Sequence, residues 1–271
     1  MRIYGIDFTS SPSRKKPITC LECTLEGDTL IAGSLTAWAD FAGFEAALHR
    51  AGPWIAGIDF PFGQARRFIE TIGWPQSWQG YVEHAASLGK AGYEDTLESY
   101  AKARPAGDKH HFRIDDKRAN SQSPQKLHFV PVGKMFFQGA PRLIKAGVTI
   151  PGLQVGDPQR IVVEAYPGVL ARYLIGNRPY KAETRKSQTA AKHEARRAIL
   201  QAIEAGKLNS HYGLAVTAPA SLASDPTGDE LDALLCAIQA AWAYTKRDEN
   251  YGMPEGTDPL EGWIADPMPG R

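Results

Sequence analysis

No run of about eighteen apolar residues occurs in the 271-residue chain, so no helical membrane span is expected. No charged-then-apolar leader opens it either, and the expected compartment is the cytoplasm. Cysteine is scarce: Cys20, Cys23 and Cys236 make an odd count. Cys20 and Cys23 lie in a strand-like stretch, ITCLECTLEG, where residues three apart face opposite sides. A zinc site would need further ligands, and there is no second pair. Net charge is nearly absent, at +1, and by itself says nothing about partners; its distribution says more. There is no internal repeat and no second glycine-rich phosphate loop.

What is present is globular in composition, 43% hydrophobic and 23% charged, and long enough for one large domain with an insertion. Charge is uneven along the chain. Lys102–Lys126 holds seven Lys/Arg against three acids, and Arg172–Arg197 holds eight against two. Asp225–Arg271 reverses this, with ten acids against three bases. Either basic segment suggests a local anion site or a solvated helix face.

Apolar runs predict five strands. Arg2–Phe8, Lys16–Leu25 and Thr29–Ser34 read as a meander, then Leu35–Arg50 as a helix, then Trp54–Asp59 as a strand returning parallel to the first. Arg160–Glu164 is the fifth strand. Helices are expected within Trp78–Arg104, at about Pro167–Ile175, at Lys186–Ala205 and at Gly228–Lys246. The last carries an apolar stripe through Leu231, Leu234, Leu235, Ile238, Ala241 and Trp242. A single domain over residues 1–271 is expected, with a basic insertion at about 64–156 and an irregular acidic tail at about 248–271.

The tetrapeptide GIDF occurs twice, at Gly5–Phe8 and Gly57–Phe60, and each copy ends an apolar run with an acid. A third strand ends in Glu164, and the last helix adds Asp229 and Asp232, three apart and therefore on one face. In an open α/β sheet, ligands bind beyond the carboxyl ends of parallel strands. If strands one, four and five are parallel neighbours, Asp7, Asp59 and Glu164 share an edge. Such a carboxylate cluster repels itself unless cations occupy it, and an all-oxygen set suits Mg²⁺ or Mn²⁺. Two such ions ~4 Å apart can clamp the attacking and leaving oxygens of a phosphodiester. All but Asp232, which sits against the apolar stripe beyond the cap, also have an ordinary explanation. Asp7 and Asp59 can cap turns. Glu164 can pair with Arg172 or another base. Thr227-Gly228-Asp229-Glu230 fits a capping box.

The order of acids, on strand one, strand four and a late helix, resembles the RNase H-like superfamily, which includes Holliday-junction resolvases. The chain more closely resembles domain of unknown function 429, a bacterial family described as predicted RNase H-like nucleases. GIDFTS, GIDFPFG, RIDDKRA at Arg113, PVGKMFFQGAPRL at Pro131, VVEAYPG at Val162, DELDALLCA at Asp229 and EGWI at Glu261 carry that resemblance over nearly the whole chain. It implies a three-layer fold around a five-stranded mixed sheet. Asp7 would be the central metal-bridging acid, with Asp59, Asp229 and Asp232 as further ligands of one or two Mg²⁺ or Mn²⁺ ions, and Glu164 as an additional catalytic acid. Ordinary RNase H places a Glu on the first helix. Here that helix offers Asp40 and Glu45, and the resolvase-like arrangement fits better.

The expected function is a metal-dependent phosphodiester hydrolase acting on nucleic acid, and a junction-cutting member would be expected to dimerise. Arg113, Arg118 and Lys126, with Lys134 and Arg142 beside Phe136 and Phe137, are candidate substrate contacts. For the two phenylalanines, core packing is the competing reading. Two alternative functions stand beside this one. One is a nucleic-acid-binding module of the same fold without catalysis. The other is an actin- or sugar-kinase-like phosphotransferase using Thr9, Ser10 and Ser11 as a phosphate turn.

Overall fold

The computed structural model describes residues 1–182 and 187–267. In chain order its elements are β1 (Arg2–Asp7), β2 (Ile18–Glu26), β3 (Thr29–Trp38), α1 (Phe41–Leu48), β4 (Trp54–Ile58), α2 (Arg66–Ile72), α3 (Trp78–Ser87), α4 (Gly89–Lys102), α5 (Ile114–Arg118) and α6 (Val132–Ala146). They continue with β5 (Val148–Thr149), β6 (Asp157–Glu164), α7 (Pro167–Ile175), α8 (Ala190–Glu204), α9 (Asn209–Tyr212), β7 (Ala215–Thr217) and α10 (Asp229–Thr245). Residue 186, the expected start of the basic helix, lies outside the described residues.

One mixed sheet has the order β5-β6-β4-β1-β2-β3-β7. It has seven strands, which corrects the expected five. The five expected strands are all present as β1, β2, β3, β4 and β6. The additions, β5 and β7, span two and three residues, too short to carry an alternation that could be read. The meander β1-β2-β3 is antiparallel, and β4 pairs parallel with both β1 and β6. The first helix is also shorter than expected. β3 runs on to Trp38, and Asp40 caps α1 by accepting from Ala42 N at 2.9 Å. The stretch expected to hold one helix before Arg104 holds two, α3 and α4.

Strand alternation divides the core in two. Tyr4, Ile6, Trp54, Ala56 and Ile58 face a layer built from α1, α2, α3, α4 and α6. Ile3, Ile55, Ile161 and Val163 face α7, α8 and α10. Cys20 and Cys23 fall into opposite halves, as their spacing requires. Both are free thiols, and burial pushes each up to about 12, so they act as small apolar residues. Phe136 is fully buried in the first of these halves, and Phe137 stacks on Tyr93 with centroids 5.0 Å apart. The acidic C-terminal segment is irregular but attached: Ala265 N donates to Glu164 O at 2.8 Å, and Trp263 is buried.

The paired strands and α10 meet unusually closely. Gly5 and Gly57 are direct partners across β1 and β4. A Cβ on Gly5 would lie 1.8 Å from Ala233 O, and one on Gly57 would lie 2.3 Å from Cys236 O. Two residues further along each strand, on the same face, stand Asp7 and Asp59. One helical turn back from Ala233 and Cys236 stand Asp229 and Asp232. Each Gly-Ile-Asp thus does two things: the glycine admits the helix, and the acid meets the acids on its first turn.

Candidate metal centre

One carboxylate oxygen each from Asp7, Asp59 and Asp232 lie within 4.8 Å of one another. The parallel register sets the first two, with Asp59 N donating to Ile6 O at 3.0 Å. The third is fixed by Tyr180, whose hydroxyl donates to Asp232 Oδ1 at 2.6 Å. Asp7 and Asp232 are buried, and Asp59 is half-buried. Asp229 stands beside them at the rim. It is not consumed by a capping box. Gly228, at φ 84°, is the N-cap, and Asp225 outside the helix accepts from Thr227 N and Glu230 N, leaving the Asp229 carboxylate available.

Lys181 reaches into this group from the loop before α8. Its Nζ is 3.6 Å from Asp7 and 3.8 Å from Asp229, and it makes a closer ion pair with Asp232. Burial opposes the charge on Lys181, but Asp232 and then Asp7 outweigh it and hold the ammonium well above its ordinary value. One lysine does not balance four acids. Burial raises the Asp7 carboxyl well above the usual range, and Asp229, Asp232 and Asp59 add to that against the opposing pull of Lys181. Asp59 is pushed up to about 7, by burial first and then by Asp232, Glu164 and Asp229, again against Lys181. Burial, Asp232 and Asp225 raise Asp229 as well, with Lys181 pulling down. Protons are retained where positive charge is missing.

The donor set fits a hard divalent cation. All donors are carboxylate oxygens, they converge, and the raised proton affinity of Asp7, Asp59 and Asp229 marks a site with too little positive charge among the described residues. Asp7, Asp59 and Asp232 would hold such an ion, with Asp229 at hand for it or for a second one. Entry of an ion requires Lys181 to give up part of its contact with Asp232.

Glu164 is not brought into that trio. Its two oxygens accept from Arg113 Nη1 at 2.7 Å and Nη2 at 2.5 Å, and Phe62 N adds a bond of 2.8 Å. Arg113 in turn holds Asp116 through Nη2 at 2.8 Å. Arg113 is 1% exposed, so its charge is directed inward to two acids and no surface is left for a phosphate. The ordinary reading of Glu164, pairing with a base, is realised with Arg113 rather than Arg172. Arg118 is exposed and pairs with Asp115 at 3.3 Å. Lys134 pairs with Glu94 at 3.1 Å, and Arg142 pairs with Glu45 at 2.9 Å while lying over the Phe41 ring. Lys126 lies half-buried with its Nζ donating to Gln122 Oε1 at 2.6 Å.

A cavity of about 220 Å³ opens onto the acids. Thr9, Ser10, Lys15, Lys16 and Lys181 line it together with Asp7, Asp59 and Asp229. The lysines at this mouth were not singled out in the sequence. Lys15 and Lys16 follow the Ser10–Arg14 turn directly after GIDF, which was the available signal. Lys181 lies in a basic segment, but only the fold shows where it points.

Among the described residues no helix is long and apolar enough to cross a membrane. No curated protein and no solved structure shows significant similarity to the chain. A family model does match, over residues 5–258, and its description is "Protein of unknown function (DUF429)". That span runs from the first GIDF through the acid-bearing helix into the irregular C-terminal segment, and the chain belongs to the DUF429 family.

Proposed function

We propose that the protein is a divalent-metal-dependent phosphodiester hydrolase with an RNase H-like core, acting on nucleic acid. The observation that carries this reading is the convergence of Asp7, Asp59 and Asp232 within 4.8 Å, beneath a cavity lined by lysines. The central strands β3-β2-β1-β4-β6, an antiparallel meander followed by parallel strands, support the RNase H-like core. So does the late helix that delivers its acids to the ends of β1 and β4.

A bound Mg²⁺ or Mn²⁺ would supply Lewis-acid activation of water and of the phosphoryl oxygens. The chain's own residues do the rest. Asp7, Asp59 and Asp232 would hold the ion, and the close β1–β4–α10 contact fixes their spacing. Asp229, at the rim, is placed to orient a water or to join the ligand set. Lys15 and Lys16 attract a phosphodiester to the mouth, where Thr9 and Ser10 offer hydroxyl donors. Lys181 offsets part of the charge of Asp7, Asp229 and Asp232 at the cavity mouth.

The test is cleavage of labelled single strands, duplexes, RNA–DNA hybrids and four-way junctions in EDTA, Mg²⁺ and Mn²⁺. Asp7→Asn serves as the control, with its fold checked by melting. Metal-dependent cleavage lost in Asp7→Asn is the expected result. Cleavage that survives the substitution, or that needs no metal, overturns the reading. Tight binding without turnover in any metal would move the assignment to a binding module of the same fold.

A further inference from the structure

A second cavity, of about 420 Å³, lies beyond the rim of the acid cavity, between α4 and the segment that leads to α6. Its size falls within the ~300–1,000 Å³ range of small-ligand sites. Phe129 lines both cavities. Its ring is 96% exposed, and its backbone has φ 63°, a conformation a bulky side chain rarely adopts. An aromatic ring held out into water by a strained backbone is better explained by a contact it makes with a ligand than by packing.

The second cavity is cationic. Lys102, Lys109, His110 and Lys126 line it. Lys102 pairs with Glu98, while Lys109 and Lys126 have no acid partner among the described residues. The His110 imidazole is held below its ordinary value by burial, then by Lys126 and Lys109, as expected where positive charge is crowded. Gln125 also lines the cavity and is 2% exposed. Its Oε1 accepts from His111 N at 2.6 Å, which fixes the orientation of the amide. Its Nε2 is buried without a hydrogen-bond partner among the described residues.

We propose that this cavity binds the nucleotide adjoining the scissile phosphodiester of a single-stranded nucleic acid, with its base on Phe129 and its phosphate between Lys109 and Lys126. The proposal rests on the reading of the acid cluster as the cleavage site. A cationic lining and an exposed ring together match the phosphate and the face of one nucleotide. Stacking on Phe129 requires a base that is not already stacked within a duplex, which selects single strands. Because Phe129 borders both cavities, a strand seated on it continues towards Asp7 and Asp59.

Binding is measured by fluorescence anisotropy with short labelled single strands of DNA and RNA, in EDTA, with the Asp7→Asn protein as parent. Phe129→Ala should weaken single-strand binding on the order of tenfold, as loss of one stacked base does. Phe129→Trp should restore it. Lys109→Gln with Lys126→Gln should flatten the salt dependence of binding. All three positions lie at the cavity surface, and melting curves confirm that each variant is folded. A parent that binds no single strand, or a Phe129→Ala variant that binds like the parent, overturns the proposal. So does a free nucleoside monophosphate that competes as well as the strand, which would make the ligand a nucleotide and not a polymer. Because the readout is binding, a protein that cleaves nothing yet loses strand affinity on Phe129→Ala would refute the nuclease and support this site.

Discussion

Replacing Asp59 by Asn should stabilise the metal-free protein at alkaline pH. Asp59 titrates at about 7 in the fold, against about 3.9 for an aspartate in an unfolded chain. The folded state keeps a proton that the unfolded state has released. The stability linked to this group is therefore complete below about pH 4 and is lost as pH rises through about 7. Three decades at about 1.4 kcal/mol each set an upper bound on the order of 4 kcal/mol. Asp59 retains some solvent contact and shares its field with Lys181, so about 2 kcal/mol is the reasoned figure. For a chain of this size that corresponds to a Tm change of about 4–8 °C. Asn has the shape of the protonated acid and does not ionise. Scanning calorimetry in EDTA, from about pH 5.5 to pH 8.5, should show the parent losing Tm as pH rises and the variant losing less. Asp7, Asp229 and Glu164 are raised too, so a residual slope remains in the variant. Mg²⁺ or Mn²⁺ at pH 8 should raise the parent's Tm more than the variant's. A parent curve without slope, or a variant that melts lower than the parent in EDTA at pH 8, would refute the reasoning.

Three further outcomes follow from the same contacts. Gly5→Ala places a methyl group against the backbone of α10 and should destabilise the protein by about 1–3 kcal/mol or more. It should also weaken Mn²⁺ binding, because the helix acids move away from Asp7; chemical denaturation and a metal titration check both. Arg113→Met leaves Glu164 and Asp116 buried without their cation and should cost about 3–5 kcal/mol in urea unfolding, far more than a surface arginine. Lys181→Met should lower Tm in EDTA at pH 8 and tighten Mn²⁺ binding measured by calorimetry, since it removes the internal counter-charge that a metal must displace.

Much of the architecture was legible because it rests on local pattern. The five longer strands announced themselves by apolar runs, and the parallel return of β4 beside β1 followed from the crossover. The acids at the ends of β1 and β4 and on the first turn of α10 could be placed together from topology alone. The short strands β5 and β7 carry no readable period, and their place in the sheet is decided by neighbours. Long-range pairing was the larger gap. Arg113 read as a surface base in a polar loop, yet it lies at the protein's centre because Glu164, 51 positions away, needs a counter-charge. Lys181 was hidden for the same reason. A lysine in a loop has no pattern that says it points into acids. Gly5 stands out in the sequence only as part of a repeated tetrapeptide, but its purpose depends on the backbone of a helix more than two hundred residues later.

The measurement that tests the account most directly is an electron paramagnetic resonance titration of Mn²⁺ into the protein at about pH 8, repeated with Asp7→Asn and Asp232→Asn. The account predicts that the parent depletes the free Mn²⁺ signal with saturable stoichiometry and that each substitution abolishes tight binding while leaving the fold intact. Parent protein that leaves the free Mn²⁺ signal undiminished, or substituted proteins that bind Mn²⁺ as the parent does, would contradict it: the acids would then be balanced by Lys181 and by retained protons, with no metal centre between the two GIDF strands.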